Sequence, residues 1–166
     1  MVERDKKVEK IIGIDPGFGR IGFGVVEKKA GECKVLCYGC IETNAKTSFV
    51  DRLVEMHKEL QYLIKKYHPQ VAVVEDLFFY KNVTTAIKVS QARGVILLTL
   101  KQANLKIIEI TPLQMKQAVT GYGKADKSQV QKMVKLELKI IKKIKPDDAA
   151  DALALALTGA YYQKGL

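Results

Sequence analysis

Residues 11–26, IIGIDPGFGRIGFGVV, place one carboxylate directly after a short apolar run and before a glycine-rich turn. The isoleucines of the run are β-branched, which is typical of a strand buried on both faces of a sheet. Pro16 and Gly17 then turn the chain sharply, because proline fixes one φ and glycine accepts a positive one. The acid between strand and turn is Asp15, and a carboxylate there is costly unless it is paired, hydrogen-bonded or bound to a metal. The sequence therefore predicts a partner for Asp15.

Three glycines of the same stretch, at positions 17, 19 and 22, fit the spacing G-x-G-x-x-G of phosphate-binding loops. A dinucleotide-binding fold needs a helix to follow these glycines. Here apolar residues alternate with glycine from Ile21 to Val25, which is strand periodicity, and the kinase signatures HRD and DFG are absent from the sequence. We therefore predict a glycine-rich hairpin, and we expect its bare surface to admit a bulky polyanion.

Composition favours one basic domain. The chain of 166 residues has 28 Lys and Arg against 18 Asp and Glu, a net charge of +10, which predicts a polyanionic partner. We expect a charged tail at residues 1–10, a single domain at residues 11–166, and a cytoplasmic protein without a membrane segment. Zinc is not expected, because the cysteines and histidines lack ligand spacing. We expect the three cysteines to be buried thiols: Cys33, Cys37 and Cys40.

Hydrophobic periodicity divides the chain into strands and helices. Five strands are predicted, at residues 11–14, 21–26, 33–41, 71–74 and 106–110. Five helices are predicted, each opened by a residue that caps helix N-termini: Ser48, Asn82, Thr111, Asp126 and Asp147. This order predicts an α/β fold with a mixed central sheet and helices on both faces.

The last helix carries acids in an otherwise apolar stretch. Residues 152–157 are all apolar, which is typical of a helix buried on every side. Asp147 and Asp148 suit its N-terminus, because the helix dipole favours acids there. Asp151 lies deeper, where the dipole does not explain it, and it shares one face with Asp148 three residues earlier. We therefore predict that Asp148 and Asp151 form a functional pair.

A second acid, Glu75, ends the strand at residues 71–74 as Asp15 ends the first. If these strands are parallel neighbours, both acids lie side by side, and the last helix can place Asp148 and Asp151 against them. Four adjacent carboxylates cannot all ionise unaided, because like charges raise one another's pKa. Ligands that are all oxygen select Mg²⁺ or Mn²⁺. Two such ions about 4 Å apart would activate water and stabilise the leaving oxygen in phosphodiester hydrolysis.

With these residues in place, the sequence resembles the RuvC family of bacterial Holliday-junction resolvases, within the ribonuclease H-like superfamily. The resemblance covers nearly all of the chain after residue 10. It rests on GIDPG around Asp15, Glu75 followed by Phe78, KN at residues 81–82, QARGV from Gln91, TP-QMKQAV-G-G-A-KSQVQ-MV from Thr111, and DAADALALA from Asp148. It implies a ribonuclease H-like fold, with a five-stranded mixed sheet of three antiparallel and two parallel strands.

The resemblance also implies roles for individual residues. The family's four metal ligands fall on the acids already singled out: Asp15, Glu75, Asp148 and Asp151. Phe78 matches an aromatic residue that stacks on an unpaired base at the junction centre, and Lys116 and Lys127 match basic positions near the active site. Arg93 suits a phosphate contact or an intersubunit contact. Asp147 adds a carboxylate beside Asp148, and we assign the ligand to Asp148 because it keeps the spacing to Asp151.

We predict a Mg²⁺-dependent crossover junction endodeoxyribonuclease that resolves four-way DNA junctions by paired symmetric nicks, leaving 5′-phosphate ends, in DNA recombination and repair. An isologous homodimer can present one site to each of two strands of a nearly two-fold symmetric junction. We expect the interface on the helix at residues 82–103, where Gly94 indicates close helix packing. The resemblance implies collaboration with the RuvA-RuvB branch-migration complex. The alternatives are a related nuclease acting on RNA–DNA hybrid or structured RNA, and a silent junction-binding scaffold.

Overall fold

The computed structural model describes residues 8–76 and 83–162. The strands are β1 (Glu9–Asp15), β2 (Arg20–Lys29), β3 (Glu32–Glu42), β4 (Val71–Glu75) and β5 (Lys106–Ile110). The helices are α1 (Phe49–Tyr67), α2 (Val83–Gln102), α3 (Pro112–Thr120), α4 (Lys127–Glu137) and α5 (Asp147–Tyr162). Within these residues, no helix is both long and apolar enough to cross a membrane.

The strands form one mixed sheet in the order β3-β2-β1-β4-β5. β1 pairs antiparallel with β2 and parallel with β4, β2 pairs antiparallel with β3, and β4 pairs parallel with β5. The predicted five-stranded mixed sheet is therefore confirmed. β1 begins at Glu9, so residues 9–10 of the predicted tail belong to the strand, and Gln70 holds Lys10 through both its backbone N–H and its side-chain oxygen.

Each face of the sheet has its own hydrophobic core because side chains alternate along the strands. One core packs beneath α1 and α2 and includes Ile12, Ile14 and Val74. The other packs beneath α3, α4 and α5 and includes Ile11 and Val73. This is the predicted arrangement of helices on both faces. The sheet centre, where β1 and β4 lie side by side, is consequently covered on both sides.

Glycines of the first hairpin bring α5 unusually close to the sheet. A Cβ at Gly22 would overlap the backbone carbonyl of Asp148, and one at Gly13 would lie 2.6 Å from the backbone nitrogen of Ala156. The expectation that these strand glycines leave a bare surface for a polyanion was wrong for Gly22, because α5 buries it. The missing side chains serve helix packing and set the position of the first turn of α5.

Local capping explains where most helices begin. Ser48, Thr111 and Asp126 each accept a backbone N–H in the first turn of the following helix, and the last two form full capping boxes. The predicted cap Asn82 lies outside the described residues. Among the described residues, a Cβ at Gly94 would meet no atom outside its own helical turn within 4 Å, so packing between these elements does not explain that glycine.

The three cysteines form no disulfide and are half-buried, so the expectation of buried thiols was wrong. Cys33 and Cys40 pack toward the α5 side, whereas Cys37 interacts with Tyr67 of α1. Cys37 and Cys40 therefore point to opposite faces of the sheet, as their spacing predicts.

Candidate metal centre

The sheet topology brings two acids to one edge. Asp15 ends β1 and Glu75 ends β4, and the parallel pairing of these strands places both carboxyl groups at the same edge. Asp15 also stands opposite Gly22 of β2 in the hairpin register. Because Gly22 lets the first turn of α5 approach the sheet, Asp148 and Asp151 are carried to the same edge. The four acids predicted from sequence are thus brought together by three separate elements.

The carboxyl groups form one cluster. Single carboxylate oxygens of Asp15, Asp148 and Asp151 lie within 4.8 Å of one another. Glu75 joins them through a side-chain hydrogen bond with Asp15, which requires one of the two carboxyl groups to carry a proton. Asp147 points elsewhere, toward Gln131 Nε2 at 3.3 Å on α4. The geometry therefore favours Asp148 over Asp147 as the member of the cluster.

Burial and mutual repulsion make this cluster hard to ionise. Burial, followed by the charges of Glu75, Asp151 and Asp148, raises the pKa of Asp15 to about 8. Burial also raises the pKa of Glu75, against the opposing hydrogen bond from Asp15, and it raises the pKa of Asp151 against the pull of Lys127. A divalent cation would remove this penalty by replacing the shared proton. The donor set, made only of carboxylate oxygens, fits a hard cation such as Mg²⁺ or Mn²⁺.

Two lysines border the cluster on the side of α3 and α4. Lys127 Nζ lies 3.1 Å from Asp151 Oδ2 and 3.8 Å from Asp147 Oδ2. Burial opposes the charge on Lys127, yet its hydrogen bond with Asp151 and the nearby carboxylates raise its pKa overall. Lys116, on α3, is near enough for its charge to lower the pKa of Glu75. Both predicted lysines therefore lie on the side of the acids, and the raised pKa of Lys127 keeps its side chain charged at neutral pH.

The other two predicted contacts have different outcomes. Arg93 projects from α2 onto the ends of β4 and β5, where its guanidinium contacts Glu109, lies 3.6 Å from Asp76, and donates Nε–H to the Glu75 carbonyl at 3.4 Å. Its side chain is only 18% exposed. These contacts link α2 to the ends of β4 and β5. Phe78 lies outside the described residues.

One further residue at this site escaped sequence reasoning. Arg20 opens β2, and its guanidinium lies 2.8 Å from Glu42 and 3.8 Å from Asp148. A signal was present, because a hairpin that pairs Asp15 with Gly22 puts Arg20 just beyond the end of β1. Recognising it required the strand register and the position of α5 together.

The elevated pKa of Asp15 predicts how pH affects the stability of the metal-free protein. The folded pKa is about 8 and the reference value is 3.8, so between these pH values the native state holds a proton that the unfolded state releases. This contribution to stability is complete below about pH 4 and is lost as pH rises toward 8. In EDTA, the Tm of the natural protein should fall between pH 5 and pH 8.5 by about 5 °C more than that of Asp15→Asn.

Addition of Mg²⁺ at pH 8.5 completes this test. The ion should restore the Tm of the natural protein, because cation binding replaces the lost proton, and it should leave Asp15→Asn unchanged. Parallel pH profiles for both proteins, with equal responses to Mg²⁺, would contradict the electrostatic description of the cluster.

Comparison with known proteins identifies the family. The family model described as crossover junction endodeoxyribonuclease RuvC matches residues 11–159. Two proteins with that same description are similar along most of their length. The protein from Petrotoga mobilis is 51% identical over 154 residues, covering 93% of this chain and 94% of that protein. The one from Halothermothrix orenii is 54% identical over 147 residues, covering 89% of each.

A solved structure of a RuvC protein is also similar to this chain. T. thermophilus RuvC in complex with a Holliday junction substrate matches with a TM-score of 0.89 and 32% identity, over 94% of this chain and 95% of that chain. Sequence and architecture therefore point to one family, with the ribonuclease H-like fold expected from the motifs. This chain belongs to the RuvC family of crossover junction endodeoxyribonucleases.

Proposed function

We propose that this protein resolves four-way DNA junctions by paired symmetric nicks, in DNA recombination and repair. The observation that carries the proposal is the half-buried acidic cluster at the edge shared by β1, β4 and α5, in a chain whose relatives bear the name of a crossover junction endodeoxyribonuclease. The similar RuvC from T. thermophilus was solved with a Holliday junction bound. The excess of basic residues suits a DNA partner.

We infer that four carboxylates hold the catalytic divalent cations, two per site: Asp15, Glu75, Asp148 and Asp151. Mg²⁺ is the proposed ion and Mn²⁺ a substitute, because both prefer oxygen ligands. When bound, such ions activate a water molecule and stabilise the leaving oxygen of a phosphodiester. The protein contributes a rigid edge, because β1, β4 and α5 are all packed into the cores.

Residues other than the four acids are proposed to contact the DNA. Lys116 and Lys127 would contact phosphate and offset the charge that develops during hydrolysis. Phe78 would stack on an unpaired base at the junction centre, as the family resemblance implies. Arg93 has less support as a DNA contact, because its guanidinium already binds Glu109.

A homodimer is proposed from the exposed face of α2. Three large apolar side chains of this helix are more than half exposed: Val83 at 77%, Ile87 at 55% and Leu98 at 58%. Their spacing, together with that of Gly94, places them along one stripe of the helix. The described residues leave open space above Gly94, which would let a second helix approach closely. A two-fold dimer through this stripe would give the two active sites that a symmetric junction requires.

The stripe predicts how the oligomeric state responds to mutation. Leu98→Asp should convert the dimer to a monomer, because a charge would be buried at the centre of the interface. Leu136→Asp is the matched control, since Leu136 is 62% exposed on α4, outside the stripe. Sedimentation equilibrium at micromolar concentration should give the dimer mass for the control. Equal masses for the two variants would contradict the proposed interface.

Substrate selectivity is the experiment that tests the function. The protein should be incubated with Mg²⁺ and equal amounts of a four-way DNA junction, linear duplex DNA and RNA–DNA hybrid. We expect cleavage of the junction at least about a hundredfold faster than of the linear duplex, because the duplex lacks the branched geometry. Preferential cleavage of the hybrid would move the function to the alternative, a ribonuclease H-like enzyme acting on RNA.

The cellular setting follows from the family. We infer collaboration with a RuvA-RuvB branch-migration complex, which would deliver a mobile junction to the dimer. A cytoplasmic location is proposed because the substrate is chromosomal DNA.

A further inference from the structure

Arg20 stands at the entrance of the metal centre. It is the first residue of β2 and pairs across the hairpin with Glu42 of β3. Its Nη2 lies 2.8 Å from Glu42 Oε1, whereas its Nη1 lies 3.8 Å from Asp148 Oδ2. The side chain is 49% exposed. One end of the guanidinium is therefore held by β3, while the other faces the acidic cluster from the solvent side.

Within residues 8–76 and 83–162, the contacts of Arg20 leave some of its N–H donors unused. A guanidinium carries five N–H donors in a planar fork. Glu42 occupies one end, and 3.8 Å from Nη1 to Asp148 is too long for a hydrogen bond, although the charges still attract. A planar fork with free donors is the geometry that binds phosphate through two parallel hydrogen bonds. Arg20 is thus pre-oriented for an anion at the rim of the cluster.

The position of Arg20 complements that of the lysines. Lys127 contacts Asp151 from the side of α4, and Arg20 approaches Asp148 from the side of β2. Cations from two different elements therefore lie beside the acids. A DNA strand crossing the acids would meet a positive side chain from β2 in addition to the lysines of α3 and α4.

We propose that Arg20 binds a phosphate of the cleaved DNA strand, next to the scissile phosphodiester. This inference rests on the proposed function and adds a residue to its DNA contacts. Glu42 pairs with one end of the guanidinium, but the phosphate contact does not require this pair. A simple surface ion pair between Arg20 and Glu42 would instead add little to stability and would have no part in DNA binding.

The test compares Arg20→Gln with Glu42→Gln, because both break the same ion pair. Binding to a four-way junction is measured in Ca²⁺ over a range of salt concentrations, with gel analysis to verify that the junction stays intact. Arg20→Gln should weaken binding about tenfold and reduce the slope of log K against log salt by about 0.9. Glu42→Gln should bind at least as tightly as the natural protein, because it removes a negative charge.

A charge-matched control accompanies these variants. Lys65→Gln removes one positive charge in the last turn of α1, which leads into the start of β4 at the sheet edge opposite the acids. Its junction affinity should stay within about twofold of the natural protein. Equal weakening by Arg20→Gln and Glu42→Gln, or an effect of Arg20→Gln no larger than that of Lys65→Gln, would overturn the inference.

Two further measurements distinguish phosphate binding by Arg20 from a role in positioning Asp148 and from failure of the proposed function. Arg20→Gln without DNA should bind Mn²⁺ as tightly as the natural protein does. If its Mn²⁺ affinity falls as much as its junction affinity, Arg20 only positions Asp148, and the proposal is overturned. If the natural protein itself binds no junction, the proposed function and this inference both fail. If it binds and cuts the junction while Arg20→Gln binds equally well, the inference alone fails.

Discussion

Replacing Asp15 with asparagine is expected to slow junction cleavage by at least about a thousandfold while junction affinity stays within a few-fold of the natural value. The carboxylate stands at the centre of the cluster, in contact with Glu75 and close to Asp148 and Asp151. Loss of a metal ligand removes several kcal/mol of transition-state stabilisation, and each 1.36 kcal/mol corresponds to a factor of ten in rate. Single-turnover cleavage and gel-shift binding measure the two quantities separately.

Two neighbouring aspartates provide the matched control. Asp148→Asn should lose cleavage as Asp15→Asn does, whereas Asp147→Asn should keep it within about tenfold, because Asp147 faces α4. Normal cutting by Asp15→Asn would contradict the metal site. Reversed behaviour of Asp147 and Asp148 would mean that the wrong member of the pair was assigned.

Gly22→Ala is expected to have the second large effect, on stability and activity together. The new Cβ would overlap the backbone of Asp148, so the first turn of α5 must move away from β2. Overpacking against backbone typically costs about 1–3 kcal/mol and sometimes more, which lowers the Tm by roughly 2–4 °C per kcal/mol. Because the displaced turn carries Asp148, the folded fraction should also cut at least about tenfold more slowly.

Gly39→Ala is the control for this substitution. Gly39 lies in β3, which pairs with β2, and an added Cβ there would meet the end of the Phe23 ring at 3.2 Å. A side-chain tip can shift where a backbone cannot, so this variant should remain close to the natural protein in Tm and cutting rate. A Gly22→Ala protein as stable and active as Gly39→Ala would show that the close approach of α5 is not required.

The acidic site residues and the order of the strands and helices could be predicted from the sequence, because both follow from local chemistry. Asp15 and Glu75 each end an apolar strand, and their nearness required only that parallel strands share an edge. Asp151 indicated a functional site because a charged side chain is rarely placed in a buried helix unless it has a partner. Capping residues such as Thr111 and Asp126 predicted helix starts through hydrogen bonds within a few residues.

What the sequence did not disclose depends on contacts between distant elements. Strand periodicity predicts a bare position at Gly22, because its contact with α5 lies more than a hundred residues away along the chain. The sequence alone allows a phosphate contact for Arg93, but its main partner Glu109 lies on β5, which no periodicity connects to α2. Arg20 was missed because its nearness to Asp148 exists only once α5 is packed on β2.

Mapping both nicks on one four-way junction, labelled on its two opposed strands, tests the proposed function most directly. With Mg²⁺, we predict one cut in each of the two strands, at positions related by the two-fold axis, with ends that DNA ligase seals. With EDTA, we predict intact DNA. Cuts confined to one strand, ends that ligase cannot seal, or cutting that persists in EDTA would contradict a dimeric, metal-dependent junction resolvase.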